Sequence, residues 1–501
     1  MEYAPEIFEG PDHPVPAVIR HAAGKTKEVS FGELARRMRY EKQGNTNVTE
    51  VHNKLHEKFW EIFSRQDRGK VKEFQTYMDK FAVNFNLYKD GDFIERALPF
   101  DIIPRIIAKE EFTTIQRGLE QRITALNLFL EDLYTDARIV KEGIIPEAFI
   151  HQAKGYLKEF VGFSPSKKIR THINGVDLVK DTVSGDWIIL EDNLRVPSGA
   201  SYPLSIRDTY RKVYPEFFES LSIEPIKQYP GYLADAMEYV NTGGINVVLT
   251  PGRFNSAYYE HSYLAGQIGA ELVRSHELVV QDKKLYYKNY NGKLIRVGAV
   301  YRRLDDDFLD PKHFNPESLI GVPGIVEAYL AGNVAIMNAI GNGVADDKGI
   351  YYFVPKMIEY YLGETPLMHN APTYLPYFEE DYKYIFDNME RLVIKDVAEA
   401  GGYGVMFGHS MSKIQLEDLK TIVRANPRRF IAQELIEFYD EKCYMNNDLT
   451  DRKADFRAYV VMGKDVKVWE CGLTRYAMEA GNYLVNSSQG GGFKDTWVME
   501  L

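Results

Sequence analysis

The sequence predicts a mixed α+β protein, partly of α/β units, in two or three domains. After Pro230 the chain repeats strand, loop and helix, starting with the apolar run INVVLTPG. That alternation belongs to a parallel α/β sheet. From residue 341 onward strands dominate, among them LVIKDV, VMFG, RFIAQELIE, FRAYVVMG and VKVWECGLTRYA. Upstream, Phe112, Ile115, Leu119, Ile123, Leu126, Leu130 and Leu133 recur at three- and four-residue spacing, the signature of a core helix. A chain of 501 residues is long enough for several full cores.

Residues 1–150 form an N-terminal arm and a helical accessory region. Pro11, Pro14 and Pro16 predict an extended arm. A short helix spans Phe31 to Arg39, and its basic run reads as a solvated face. Further helices are expected over Glu50–Arg65 and Lys70–Leu87. The core helix runs from Lys109 to Tyr134, after Pro104, with Glu110 and Glu111 in the first turn where the helix dipole favours acids. Residues 151–230 hold a hairpin and a helix from Tyr202 to Val213. Residues 231–340 read as a Rossmann-like unit. Asn255 or Ser256 caps a helix running to about Gly269, and ELVRSHELVV continues as strand. The G-x-G-x-x-G fingerprint is missing, so a dinucleotide is not implied. Residues 341–501 add the strands above and a helix over Gln415–Arg424.

Composition excludes several classes. The net charge is −11, which does not suit a nucleic-acid partner. Cys443 and Cys471 are the only cysteines, so there is no disulfide framework or cysteine zinc knuckle. The acidic, proline-broken start MEYAPEIFEG is not a signal peptide. No apolar run reaches the ~20 residues of a membrane span. The expectation is a cytoplasmic protein without a membrane partner.

Chemistry concentrates in GVDLVKDTVSGDWIILEDNLRVPSG, residues 175–199. One strand carries Asp177, and its partner runs into Glu191-Asp192-Asn193. Residues two apart on a strand share a face. Glu191 and Asn193 therefore point together, and Asp192 points away. Three oxygen donors aimed at one point suit Mg²⁺, although an ordinary hairpin with a polar turn fits the same residues. Lys395 lies in LVIKDV, followed by Gly401, Gly402 and Gly404 in a turn. Such a turn can cover phosphates as a lid, or it is a plain hairpin with a surface lysine. Lys348 follows two acids at a helix start, as a second cation or a surface ion pair. In FIAQELIEF, Gln433 and Glu434 could face a nucleoside, or form a solvated strand edge.

Arg457 and Arg475 interrupt apolar strands, so each meets an anion or pairs with an acid. Arg302 and Arg303 precede Asp305, Asp306 and Asp307 at a strand end, where α/β folds often meet ligand. Intramolecular salt bridges are the equal alternative. Asn486, a glycine run and Lys494 form either a loop near ligand or a flexible tail. His261 shares an apolar helix face and reads as a packed histidine.

Taken as 341–501 followed by 151–215, these elements resemble an ATP-grasp enzyme with a circularly permuted order. The strings LEDNLRVPSG, LTPGRFNSAYYEH, YRRLDDDFLDP, NAIGNGVADDK and VNSSQGGGFKDTW closely resemble the circularly permuted type 2 ATP-grasp family. That family is akin to the synthetase domain of glutathionylspermidine synthetase. The likeness covers residues 95–501. It implies a permuted ATP-grasp fold with a Rossmann-like pre-ATP-grasp domain. It places ATP on Lys348 and Lys395, under a lid of Gly401, Gly402 and Gly404, against a hinge at Gln433 and Glu434. It places Mg²⁺ on Asp177, Glu191 and Asn193, and Arg457 and Arg475 beside the transferred phosphate. Arg302, Arg303, Asp305, Asn486 and Lys494 are left to hold substrate. The implied activity is an ADP-forming ligase joining a small-molecule or peptide carboxylate to an amine through an acyl phosphate. An ATP-binding module without chemistry, a kinase and a carboxylate–thiol ligase are the alternatives on the same fold.

Overall fold

A computed structural model describes residues 46–66, 68–80, 84–89, 92–97, 99–398, 404–485 and 490–501. The expected arm at Pro11–Pro16, the helix Phe31–Arg39, Gly401, Gly402 and Asn486 lie outside the described residues.

Helix α1 (Thr46–Phe63) carries Leu55, Phe59 and Phe63 four residues apart, on one buried stripe. Phe59 stacks on Phe217 at 5.0 Å and meets Trp497 edge-on at 5.7 Å. Helix α2 (Arg68–Lys80) ends earlier than its apolar spacing suggests. Leu87 belongs instead to strand β1 (Asn84–Lys89), paired antiparallel with β2 (Asp92–Ala97). Here Phe85 and Leu87 alternate with Asn84 and Asn86, and this period of two prevails over helical spacing. Strand β3 (Phe100–Ala108) contains Pro104, which cannot donate to a ladder. It sits where the register slips: Lys494 pairs with Asp101, but Thr496 pairs with Arg105.

Helix α3 (Lys109–Tyr134) has the expected bounds and buries all seven apolar residues of its stripe. Strands β4 (Ile173–Lys180) and β5 (Trp187–Asn193) form the expected hairpin, and helix α4 (Ser201–Val213) follows.

Next comes the Rossmann-like unit: helix α5 (Tyr229–Val240), β6 (Ile245–Leu249), α6 (Tyr258–Ile268), β7 (Glu271–Val273), β8 (Leu278–Gln281), β9 (Lys284–Lys288), β10 (Leu294–Arg302) and β11 (Ala335–Met337). Strands β7, β6, β10 and β11 are parallel neighbours in that order, and β9 and β8 extend β10 as an antiparallel meander. ELVRSHELVV is thus two strands, β7 and β8, with a turn between them. The N-cap of α6 is Ala257; Asn255, two residues earlier, instead accepts from the Ala257 amide at 2.9 Å. Gly269 ends α6 with a φ of 67°, a left-handed conformation that glycine adopts without cost from a side chain.

Helices α7 (Lys348–Tyr351) and α8 (Val354–Leu362) lead to a four-stranded antiparallel sheet. Its order is the short strand Thr373–Tyr374, then β14 (Phe430–Glu434), β12 (Leu392–Asp396) and β13 (Val405–Phe407); helix α9 (Lys413–Ala425) lies in the chain between β13 and β14. Ser412 and Gln415 cap α9 reciprocally. Leu392, Ile394, Leu419, Val423 and Phe430 form this subdomain's own core.

The last strands are β15 (Asp440–Met445), β16 (Asp448–Met462), β17 (Val466–Tyr476) and β18 (Gly492–Glu500). They join the early hairpin in one nine-stranded sheet. Its order is His369–Asn370, β5, β4, β16, β17, β18, β3, with β15 on β16 and Ser222–Ile223 on β18. Asp177 of β4 lies opposite Arg457 of β16. Residues 173–193 therefore complete a sheet whose other central strands arrive more than 250 residues later. Among the described residues no helix is long and apolar enough to cross a membrane.

Candidate active site

The hairpin register fixes its chemistry. Asp177 pairs with Glu191, Gly175 with Asn193 and Val176 with Asp192, with an extra residue, Leu190, in β5. Paired residues share a face, so Asp177, Glu191 and Asn193 lie together. Asp192 faces the other way, where buried Arg122 grips both its oxygens at 2.7 and 2.6 Å. Gly175 leaves room for Arg457: a Cβ there would come within 3.3 Å of Arg457 Cδ.

Asp177 is held by two arginines. Arg457 donates to both oxygens at 2.6 and 2.7 Å, and Arg475 donates to Oδ2 at 2.9 Å. Burial pushes the Asp177 carboxyl up, but Arg457 and Arg475 outweigh it and hold the group below the usual carboxylate range. Arg475 also grips Asp455, whose carboxyl burial raises. Glu191 lies 3.7 Å from the ammonium of Lys348. That lysine begins α7 just after Asp347, which caps the helix by accepting from Gly349 at 2.8 Å.

Across the cleft stands the four-stranded sheet. Lys395 of β12 lines the same slot as Asp177 and Glu191. Burial lowers its ammonium to about 8; Glu191 and Asp177 oppose the shift, and Lys348 adds to it. Val393, Val405 and Phe407 continue this wall as an apolar slot. Gln433 and Glu434 end β14, and Leu435–Phe438 carry the chain over to β15 in the large sheet. Gln433 donates to Thr373 at 2.9 Å, and Glu434 accepts from Tyr384 at 2.5 Å. Tyr483, Leu484 and Val485 close the slot. A second, polar chamber adjoins it and shares Glu191 and Lys348; Asn193, Arg195, Asp305, Asp346 and Arg457 line it.

The structure thus gathers Asp177, Glu191, Lys348, Lys395, Gln433, Glu434 and Arg475 around one slot, and Asn193, Asp305 and Arg457 around the next. Gly404 precedes β13 at a φ of 69°. Three expected substrate contacts are corrected. Arg302 is fully buried; it donates to the carbonyls of Asn338, Leu304 and Ala339 and pairs with Asp306. Arg303 is buried; it pairs with Glu260 and donates to the Tyr301 hydroxyl and the Pro197 carbonyl. Lys494 is buried inside β18, 2.7 Å from Asp101, and lines neither chamber. In each case a buried cation found its partner within the protein. His261 is packed, with Nδ1 2.8 Å from the Thr250 hydroxyl.

Asp455, Arg195, Asp346 and the Tyr483–Val485 wall were not legible as site residues. Asp455 had a usable signal, since it sits two residues before Arg457 on one strand face.

The donors around Glu191 fit a hard divalent cation, although among the described residues no three His, Cys, Asp or Glu side chains form a metal cluster. The third donor is an amide: the buried Asn193 Nδ2 has no hydrogen-bond partner. Rotating that amide presents its oxygen instead. Asp177 keeps acceptor capacity beyond its arginine contacts, since a carboxylate offers about four lone-pair sites. The set is then all oxygen, as Mg²⁺ requires.

An uncharacterized protein of Synechocystis is 46% identical over 431 residues, spanning 85% of this chain and 89% of its own. A Frankia casuarinae protein, named provisionally as a glutamate–cysteine ligase, is 38% identical over 413 residues; the match takes in 81% of this chain but only 48% of that protein. The solved structure of a glutathione synthetase-like effector from Globodera pallida superposes with a TM-score of 0.54 at 13% identity, covering 87% of this chain and 98% of the other. The profile of circularly permuted ATP-grasp type 2 proteins matches residues 104–477, and the chain belongs to that family.

Proposed function

We propose that the protein is an ATP- and Mg²⁺-dependent ligase that joins a carboxylate to an amine and releases ADP and phosphate. One observation carries the reading. Asp177 and Glu191 of the nine-stranded sheet face Lys348 and Lys395 across a single cleft whose far end is an apolar slot. In this reading the slot takes the adenine, Glu434 and its neighbours the ribose, and the charged end the phosphates. Asp177, Glu191 and Asn193 hold Mg²⁺, which when bound neutralises phosphate charge and aligns the transfer.

The protein's own groups do the rest by placement. Lys348 and Lys395 offset phosphate charge, and Arg457 and Arg475, fixed by Asp177 and Asp455, present cations where the phosphoryl group moves. A carboxylate oxygen of the acid attacks the γ-phosphorus, and the bond to the ADP oxygen breaks. The amine nitrogen then attacks the acyl carbon, gives up a proton and expels phosphate. Among the described residues that line either chamber there is no Ser, Cys or His. With the chamber's lysines and hairpin carboxylates assigned to phosphate and metal in this reading, that supports activation of the substrate over a covalent enzyme intermediate.

Hydroxylamine tests the reading. With ATP, Mg²⁺ and a pool of acids, it should yield a hydroxamate together with ADP. AMP with pyrophosphate would indicate adenylate chemistry, and a stable phosphorylated product would indicate a kinase.

A further inference from the structure

The outer end of β5 has little sheet support. The short strand His369–Asn370 pairs with Ile188 and Ile189 and stops there. Glu191 and Asn193 are then laddered to β4 alone, opposite Asp177 and Gly175. Their placement depends on the run that follows.

That run is tied down by side chains from other elements, all of them buried except the half-buried Asp346. Asp346 accepts from the Leu194 amide, and Asn338 donates to the Arg195 carbonyl at 3.1 Å. Arg303 donates to the Pro197 carbonyl at 2.8 Å, and Tyr459 donates to the Ser198 carbonyl at 2.8 Å. Glu260 Oε2 accepts from the Gly199 amide at 2.7 Å, the Ser201 amide at 3.1 Å and the Ser201 hydroxyl at 3.2 Å. Its other oxygen meets Arg303 at 2.9 Å. The turn itself admits only glycine at position 199: φ is +111°, and a Cβ would lie 2.7 Å from Leu473 and from the Tyr459 hydroxyl.

Glu260 and Arg303 are each 1% exposed. A buried ion pair is seldom more stabilising than a packed apolar pair, so its presence calls for another use. Here the pair's remaining bonds converge on one turn. Glu260 also supplies a carboxylate at the start of α4, where the free amides and the dipole favour an anion. Glu260 belongs to α6 and Arg303 follows β10, so the Rossmann-like unit holds the exit of the hairpin.

We infer that Glu260 and Arg303 are positioning residues: they fix the Pro197–Ser201 turn and, through it, hold Glu191 and Asn193 in place as cation donors. This rests on reading the cleft as a Mg²⁺–nucleotide site. Mn²⁺ titrated by electron paramagnetic resonance in the presence of ADP tests it. Glu260→Gln keeps the shape and should weaken Mn²⁺ binding by about tenfold, the low end of what losing a group that orients a metal donor costs. Tyr459→Phe removes one hydrogen bond to the same turn, should weaken binding by a smaller factor, and decides the matter if Glu260→Gln does not fold. In an Asn193→Ala background the loss from Glu260→Gln should shrink, because one of the two donors it positions, and the one nearer the turn, is gone. Unchanged affinity in folded Glu260→Gln and in Tyr459→Phe, or an equal loss with and without Asn193, would overturn the inference. Failure of the wild-type protein to bind Mn²⁺ would overturn the metal site itself, and this inference with it.

Discussion

Glu191 and Asp192 are neighbours in sequence with opposite duties, and isosteric changes separate them. Glu191→Gln removes one charge facing Lys348 without changing shape, so turnover should be nearly lost at an unchanged melting temperature. Asp192→Asn leaves Arg122, 1% exposed, without its charged partner. It should lower stability by about 3 kcal/mol, read by urea unfolding, with near-normal turnover in the folded fraction. Equal loss of turnover in both variants would show that the strand faces are misassigned.

Lys395 gives a pH prediction at the same scale. Burial lowers its ammonium to about 8, so the free protein loses this proton as pH rises through that value. Nucleotide phosphates favour the charged form, so Mg-ATP binding should take up a proton near and above this pH. Affinity measured by calorimetry should fall as pH rises through about 8. Lys395→Arg, which stays charged, should flatten that fall. A wild-type affinity flat from neutrality to well above this pH would contradict the assignment.

The element scale shows what the sequence could and could not disclose. Helix α3 was legible to the residue, because 26 residues of helical spacing leave no other reading. Strands β3 and β18 were not. Pro104 disguises β3, and β18 places Lys494 and Asp495 in the core, where only tertiary partners, Asp101 and Arg207, make such charges tolerable. Polar residues in a strand look like a loop until those partners are known. The same holds for Arg302 and Arg303: the sequence left ligand and ion pair open, and the fold supplied the ion pair. By contrast Asp177, Glu191 and Asn193 were legible as one cluster because strand alternation is local geometry. Helix α1 yields the prediction here. Although it precedes the family match, Phe59 is fully buried against Phe217 and Trp497. Phe59→Ala should cost about 3–5 kcal/mol in denaturant unfolding. A change below 1 kcal/mol would mean that α1 does not share this core.

At the scale of the whole molecule, the cleft exists because a hairpin from early in the chain completes a sheet built mainly by its end. Both sheets are needed to form the cleft: Asp177, Glu191, Arg457 and Arg475 stand on the large one, Lys395 and Glu434 on the small one. A ligand bridging them should therefore stabilise the assembly as any native-state ligand does. The central claim is that this bridging ligand is ATP, spent on a carboxylate. It is tested most directly by ³¹P nuclear magnetic resonance of the protein with ATP, Mg²⁺ and a mixed pool of acids and amines. ADP and inorganic phosphate should appear together and depend on the amine. AMP with pyrophosphate, or no ATP consumption against any pool, would contradict the account.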